Sequence, residues 1–426
     1  MARLEYIYYE FFDVPPEPHD EPAWVKLENK KPIEGLPQIY WANGEGWYEA
    51  NTWALSRLAS NELDAETIKR NMKHIFRLAE FTEEVGIDWR HFPTRIEDQV
   101  LRRFRKHLVA AVDSGELESS TASNCMSTCI QFYRFAAIHK LVGPEAPMWE
   151  DRKVILPLYD PSGFKRLMVR TTTNLSIPNR KRAGCTLEDG LLPLSREHMI
   201  ELLAHAALRE SVELSLMLSI GFFTGARLGS IVTLTVSSLQ TARPDPRIPK
   251  VYLLPVGPGT DVSTKSSVSG DLMVPEALLT DLRLYATSTN RLLREVKAPP
   301  DQKDVLFLTR GGRPYTVGTV DKLVEGMRTH TVARGMHFMK RFRFHQSRAT
   351  FGTWMMEMAL ECGATPAAAI GFVRDAMLHK DERATWTYIK FRDNVRAKQE
   401  AANEFSKAFA SLKTVNWKEL NERAAA

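Results

Sequence analysis

The segment Thr224-Gly225-Ala226-Arg227-Leu228-Gly229 sets an arginine in a Gly-flanked turn directly after a strongly apolar stretch, and a charge anchored there has to be satisfied. His345-Gln346-Ser347-Arg348 puts an imidazole and a guanidinium at i and i+3. On a helix these lie about 60° apart and can address one ligand. His379 precedes Tyr388 by nine residues. At about 3.6 residues per turn a continuous helix would turn them to opposite faces, so they converge only if the helix breaks between them. Asp381 is the expected N-cap of a second helix through Trp386 and Tyr388, with His379 just outside it. Lys265 lies in a polar stretch between two short β-rich runs. Taken singly, each has a structural explanation: a core histidine, a surface arginine, a helix-packing tyrosine.

Other chemistry loses its usual hardware. There is no GxxxxGK[ST] phosphate loop, no GxGxxG after a strand and no HExxH for zinc. The four cysteines, Cys125, Cys129, Cys185 and Cys362, form no CxxC and have no His at zinc-finger spacing, so reduced, packed thiols are expected. The 426 residues, 44% hydrophobic and 26% charged, describe a folded chain of two or three domains. The chain holds no apolar run long enough to span a membrane, and Glu5, Glu10 and Asp13 stand where a signal or transit peptide needs cations. A cytoplasmic protein with no membrane partner is expected. Formal net charge is +5, but residues 1–50 carry four Lys/Arg against ten Asp/Glu, which leaves the remainder at +11. A body this basic suits a polyanion, because cationic side chains release counterions from nucleic acid.

Arg227 in TGARLG, Lys265 between two short strands, His345-xx-Arg348, and His379 nine residues before Tyr388 together resemble the catalytic signature of the tyrosine recombinase (phage integrase) family in type, order and spacing. The resemblance covers roughly 190–400 and extends more loosely to a helical core-binding domain. It implies a mainly α fold, with an α+β catalytic domain that holds a small antiparallel sheet. Cleaving a phosphodiester without a metal requires fixed positive charge on the non-bridging oxygens, and the forks of Arg227 and Arg348 would supply it. By resemblance Tyr388 is the nucleophile, forming a 3′-phosphotyrosine that conserves the energy for rejoining. Lys265 protonates the 5′-oxygen, His345 helps deprotonate Tyr388, and His379 hydrogen-bonds the phosphate. Neither ATP nor Mg²⁺ is implied, and no metal site. The implied partners are double-stranded DNA carrying specific recombination sites and a tetramer of this chain assembled on the nucleoid. The chain departs from the family pattern at Ser230, usually acidic, at Leu378, commonly Gly, and at Ala349, commonly His. Integration or excision for a mobile element or prophage is the expected role; a type IB topoisomerase and a catalytically silent DNA-binding regulator are the rivals.

These residues need elements to position them. Residues 1–51, with scattered prolines and aromatics, suggest an irregular appendage packed through Trp24, Tyr40, Trp41 and Trp47. Residues 52–142 turn helical: Ile68, Met72, Ile75 and Ala79 share one face. Thr94 and Glu97 form a capping-box pattern ahead of Val100, Leu101, Phe104, Leu108 and Val112. A third helix, through Met126, Ile130, Tyr133, Ala137 and Leu141, would start at Ser119 or Ser120. Arg102, Arg103, Arg105 and Lys106 lie off the apolar stripe, either a solvated face or a phosphate-contacting one. Residues 143–192 read as a linker that holds Arg180, Lys181 and Arg182. The catalytic domain would occupy 193–393, with Ser195 as a cap, a buried helix over 214–223, and strands at Val251–Leu254 and Leu272–Val274. In 394–426, Val395, Ala402, Phe405, Phe409 and Leu412 form a stripe interrupted by Lys398. By resemblance it docks on a neighbouring subunit; packing on its own domain is the alternative.

Overall fold

The chain divides into two units, Met1–Lys181 and Arg182–Ala426. The computed structural model describes residues 1–13, 24–30, 32–60, 64–145, 147–159, 165–178, 187, 190–380 and 385–393. Among them no helix is long and apolar enough to cross a membrane.

In the first unit, β1 (Arg3–Tyr9), β2 (Phe12–Asp13), β3 (Val25–Lys26) and β4 (Ile33–Tyr40) precede α1 (Tyr48–Ala59), α2 (Ala65–Val85), α3 (Val100–Asp113) and α4 (Ser119–Ile138). A hairpin of β5 (Asp151–Tyr159) and β6 (Lys165–Thr173) follows. The helical periodicity translates into burial: Ile68, Met72, Ile75 and Ala79 of α2 and Val100, Leu101, Phe104 and Leu108 of α3 are all inside. On α4, Met126 and Tyr133 are buried, but Ala136 rather than Ala137 takes the inner position. Trp47 packs edge-on against Phe132 at 5.4 Å, and the Tyr133 hydroxyl donates to the Trp89 carbonyl at 2.6 Å.

Four local expectations are corrected. The opening segment is regular where it is described: β1 pairs antiparallel with β4 from Arg3↔Tyr40 to Tyr9↔Ile33. Asn51 fixes the pair to α1, accepting from Ile39 N–H at 2.8 Å and donating to Ile39 O at 3.1 Å. Trp47 is buried, but Trp24 is 70% exposed. Thr94 and Glu97 cap no helix, because a short 3₁₀ turn, Ile96–Asp98, intervenes and α3 starts after Gln99 without a side-chain cap. Neither Ser119 nor Ser120 caps α4, whose N-cap position is Glu118. The stretch read as a linker contains the β5–β6 ribbon, in register from Asp151↔Thr173 to Tyr159↔Lys165.

The second unit runs α5 (Arg196–Arg209), α6 (Val212–Thr224), α7 (Leu228–Ile231) and α8 (Val236–Gln240), then β7 (Arg243–Pro244), β8 (Val251–Val256) and β9 (Gly270–Pro275). It continues with α9 (Glu276–Ala286), α10 (Thr289–Glu295), α11 (Val317–Ala333), α12 (Gln346–Glu361) and α13 (Pro366–Ala376). Residues 385–393 are helical. The strands form one antiparallel sheet in the order β7-β8-β9. Ser195 caps α5, accepting from His198 N–H, as its residue type predicts. The chain is thus mainly α with small antiparallel sheets.

Helix α6 is the axis of this unit. Its apolar side chains leave no polar face, and Leu214, Met217, Leu218, Ile220 and Phe222 are buried in the main core. It ends at Gly225, left-handed at φ 65°, where a Cβ would collide with the Phe351 ring of α12. Only glycine permits both the turn and this approach, so α6 delivers its C-terminus against the helix that carries Arg348.

Candidate active site

Arg348 lies one turn into α12 and is 2% exposed. Its Nη1 donates to Gly225 O at 2.5 Å and its Nη2 to Met377 O at 2.7 Å. One guanidinium thus joins the turn that precedes Arg227 to the end of α13 that precedes His379. Charge-assisted hydrogen bonds of this kind contribute about 1.5–3 kcal/mol each, and two carbonyls suit a planar fork. His345 occupies the N-cap position of α12, half-buried, on the turn before Arg348.

The helix break that His379 and Tyr388 require is present. Helix α13 ends at Ala376 and the next described helix begins at residue 385. His379 is 6% exposed and Tyr388 fully buried, with their rings stacked at 6.2 Å between centroids and 28° between planes. His379 Nδ1 shares a hydrogen bond of 2.8 Å with Thr385 Oγ1, which fixes the ring's orientation. Behind the phenol stands Gly352, one turn past Arg348 on α12. A Cβ there would come within 2.6 Å of Tyr388 Cε1 and 2.8 Å of Cζ. The nucleophile candidate therefore rests directly on helix backbone, on the face that bears Arg348. Asp381, the expected cap, lies outside the described residues.

Arg227 is the N-cap residue of α7 and half-buried. Lys265 is exposed, in the connection from β8 to β9, and opens a short turn in which Ser266 and Ser267 are left-handed at φ 60° and 52°. Two hydrogen bonds link the arms: Ser263 N–H donates to Thr233 Oγ1 at 3.0 Å, and that hydroxyl donates to Ser230 O, also at 3.0 Å. Ser230 N–H in turn donates to Arg227 O at 2.9 Å. Ser230 is buried where the family usually carries an acid. The buried carboxylate Glu213 does not substitute for it. Glu213 sits in the first turn of α6, paired with Arg294 at 2.7 Å and accepting from the Tyr285 hydroxyl at 3.0 Å. A helix of this length holds it roughly 20 Å from the Arg227 turn. Burial, with the Glu213 charge beside it, pushes the Tyr285 phenol well above its ordinary range.

The basic candidates of the first unit differ among themselves. Arg105 clamps the chain, donating from Nε to Leu175 O at 3.1 Å and from Nη2 to Ser176 O at 3.4 Å. Lys106 is exposed and 3.8 Å from Glu97; Arg103 is exposed, and Arg102 is half-buried. Arg180, Lys181 and Arg182 lie outside the described residues. Three participants escaped the sequence reading. Thr385 and Thr233 act through single hydroxyls with no motif around them, and Gly352 acts through the side chain that it lacks.

A sequence model of the phage integrase family matches residues 194–394. No curated protein matches the chain. Among solved structures, a lambda integrase dimer bound to a COC′ core site is 12% identical with a TM-score of 0.47, covering 81% of this chain and 95% of that one. The Tn1549 transposon integrase with a circular intermediate DNA is 13% identical with a TM-score of 0.46, covering 83% and 99%. A lambda integrase tetramer bound to a Holliday junction is 12% identical with a TM-score of 0.46, covering 80% and 76%. The family match spans the helices and strands that bring Arg227, Lys265, His345, Arg348, His379 and Tyr388 into one unit, and residues 194–394 of this chain are a domain of the phage integrase family, the tyrosine site-specific recombinases.

Proposed function

We propose that the chain is a site-specific recombinase of a mobile element or prophage, working in the cytoplasm on two DNA duplexes as a tetramer. It breaks and rejoins strands through a 3′-phosphotyrosine, with neither metal nor ATP. The observation that supports this most is Arg348, hydrogen-bonded to Gly225 O and to Met377 O, because it ties the Arg227 turn to the segment leading into His379 and Tyr388.

In this reading the Tyr388 phenolic oxygen attacks phosphorus in line as His345 helps to remove its proton. The bond from phosphorus to the 5′-oxygen breaks, and Lys265 gives that oxygen a proton. Arg227, Arg348, and His379 oriented by Thr385 hold the non-bridging oxygens as negative charge accumulates. Reversal with a different 5′-hydroxyl rejoins the strand. Tyr388 is fully buried, so engagement of DNA has to shift residues 385–393 far enough to uncover its hydroxyl. Assembly is assigned to residues 394–426, which lie outside the described residues. The Arg103 and Lys106 side of α3 and the Arg180–Arg182 cluster are assigned to DNA phosphates.

The test is covalent trapping on nicked DNA. Wild-type protein should form an adduct that survives denaturation and is unaffected by EDTA, and Tyr388→Phe should bind DNA equally well and form none. An adduct with Tyr388→Phe overturns the nucleophile, and strict Mg²⁺ dependence overturns the mechanism. No adduct from wild type leaves a silent DNA-binding regulator, and supercoil relaxation by a monomer makes the chain a topoisomerase.

A further inference from the structure

Helix α13 ends in a hydrogen-bond pattern whose C′ position is ordinarily glycine. Leu378 N–H donates to Asp375 O at 3.1 Å and His379 N–H to Arg374 O at 3.0 Å, the paired bonds that close a helix when the C′ residue turns left-handed. Here the C′ residue is Leu378, at φ 51°. A leucine in this conformation presses its Cβ on the neighbouring carbonyl, a strain that glycine avoids. The turn alone gives no reason for a large side chain, so the reason has to lie in what that side chain touches.

It touches the Lys265 hairpin. The first residue of β9, Gly270, pairs with Val256 in the sheet. A Cβ at Gly270 would overlap Leu378 Cδ2. Gly270 itself is not left-handed, so its missing side chain provides space and not conformation. Leu378 is half-buried, packed against the main core at the rim of a cleft of about 380 Å³ that Val268, Met273, Phe372 and Ala376 also line. The glycine expected before His379 has in effect changed places: the small residue sits on the strand and the large one on the turn.

We propose that Leu378 is a positioning residue that locks the Lys265 hairpin to the His379 turn through the space left by Gly270. On its other side the hairpin is tied to the Arg227 turn by Ser263 and Thr233. Its tip, with left-handed Ser266 and Ser267, is closed by Thr264 Oγ1 donating to Val268 O at 2.7 Å, so Leu378 supplies a contact from outside the hairpin. Leu378 is flanked by Met377, whose carbonyl receives Arg348, and by His379. The contact therefore couples the general acid to the groups that hold the phosphate. This role rests on the recombinase reading above.

The experiment is single-turnover cleavage of nicked duplexes that carry either ordinary phosphate or a 5′-bridging sulfur at the scissile position. A thiolate leaves without a proton, so the sulfur substrate bypasses Lys265. Leu378→Gly satisfies the turn and should keep its melting temperature and DNA affinity. It should cleave ordinary DNA about tenfold more slowly or worse, since small displacements of a catalytic group are costly, and recover on the sulfur substrate. Gly270→Ala should show the same defect, and the double variant Gly270→Ala/Leu378→Gly should be no slower than the worse single variant, because both changes abolish the same contact. Leu378→Ala serves in place of Leu378→Gly if the latter is unstable. Wild-type rates for Leu378→Gly on ordinary DNA, or equal losses on both substrates, overturn the positioning role while the function stands. A wild type that forms no adduct on either substrate overturns the function itself, and this role with it.

Discussion

Arg348 and Lys265 belong to one proposed reaction but are held in opposite ways. Arg348 is buried, spans two carbonyls and rises from a helix packed on the apolar core. Lys265 is exposed, between strands, on a turn with two left-handed serines. The buried side, with His379, Tyr388 and Gly352, is fixed by contacts that the fold itself requires. The hairpin side is anchored by Val262 in the core and by the Thr264 hydroxyl on Val268 O, and it meets the rest of the site through Ser263 with Thr233 and Gly270 with Leu378. A group that stabilises charge through the whole reaction gains from rigidity, because a preorganised donor needs no reorganisation as the transition state forms. A group that delivers one proton to a leaving oxygen can sit on a more compliant arm, provided that arm is registered against the rest.

The comparison breaks most decisively at Arg348. Arg348→Ala removes two charge-assisted hydrogen bonds and leaves Gly225 O and Met377 O to find new donors. It should cost about 2–5 kcal/mol of stability as well as cleavage, since two buried carbonyls each lose a donor at about 1–3 kcal/mol. Chemical denaturation of the full chain measures it. A variant that loses cleavage but keeps wild-type stability would show that the guanidinium serves the phosphate alone and that the two carbonyl contacts are incidental.

Next in size is Lys265→Ala. It should slow cleavage of ordinary DNA by about 10²–10⁴-fold, the usual contribution of a positioned general acid, regain much of the rate on a 5′-bridging sulfur, and leave the denaturation midpoint in place. Stability loss comparable to Arg348→Ala would place Lys265 on the buried side of the comparison. If the sulfur substrate gives no recovery, the acid is another residue, with His379 the next candidate.

The same division governs what could be read from sequence. Helix α6, the Ser195 cap and strands β8 and β9 were legible because each is set by its own residues: an apolar run, a capping hydroxyl, short apolar stretches separated by a Gly-Pro-Gly turn. The break between His379 and Tyr388 followed from their spacing only on the condition that the two side chains converge. The β5–β6 ribbon was not legible, since Pro157 and the run Val154-Ile155-Leu156 show no alternation and only the pairing with β6 defines the strand. The Thr94 and Glu97 pattern misled because Glu97 itself lies in a 3₁₀ turn, Ile96–Asp98, that precedes α3. At the site, residue types gave the six candidates by resemblance, but not what holds them. Arg348 binds backbone carbonyls, which carry no residue identity, and Leu378 finds its space at Gly270, far away in sequence.

The smallest effect, and the one that most sharpens the comparison, is expected at Ser266. Its left-handed backbone, φ 60° and ψ 27°, is strained for serine and easy for glycine. Ser266→Gly relieves that strain but also gives the unfolded chain more freedom, and the two terms nearly offset, so stability should change by about 0.5 kcal/mol or less. Its effect should appear in the proton transfer. A looser tip lets Lys265 sample more positions, so cleavage of ordinary DNA should fall by a few-fold, about 1 kcal/mol in barrier, and cleavage of the sulfur substrate not at all. Parallel single-turnover assays of Ser266→Gly and Lys265→Ala on the two substrates measure this directly. If Ser266→Gly is as damaging as Lys265→Ala, the hairpin is specified as tightly as the buried side and the division is wrong. If it changes nothing on either substrate, the tip contributes no positioning of its own, and the registry of Lys265 has to come from Thr233 and Leu378 at its two ends.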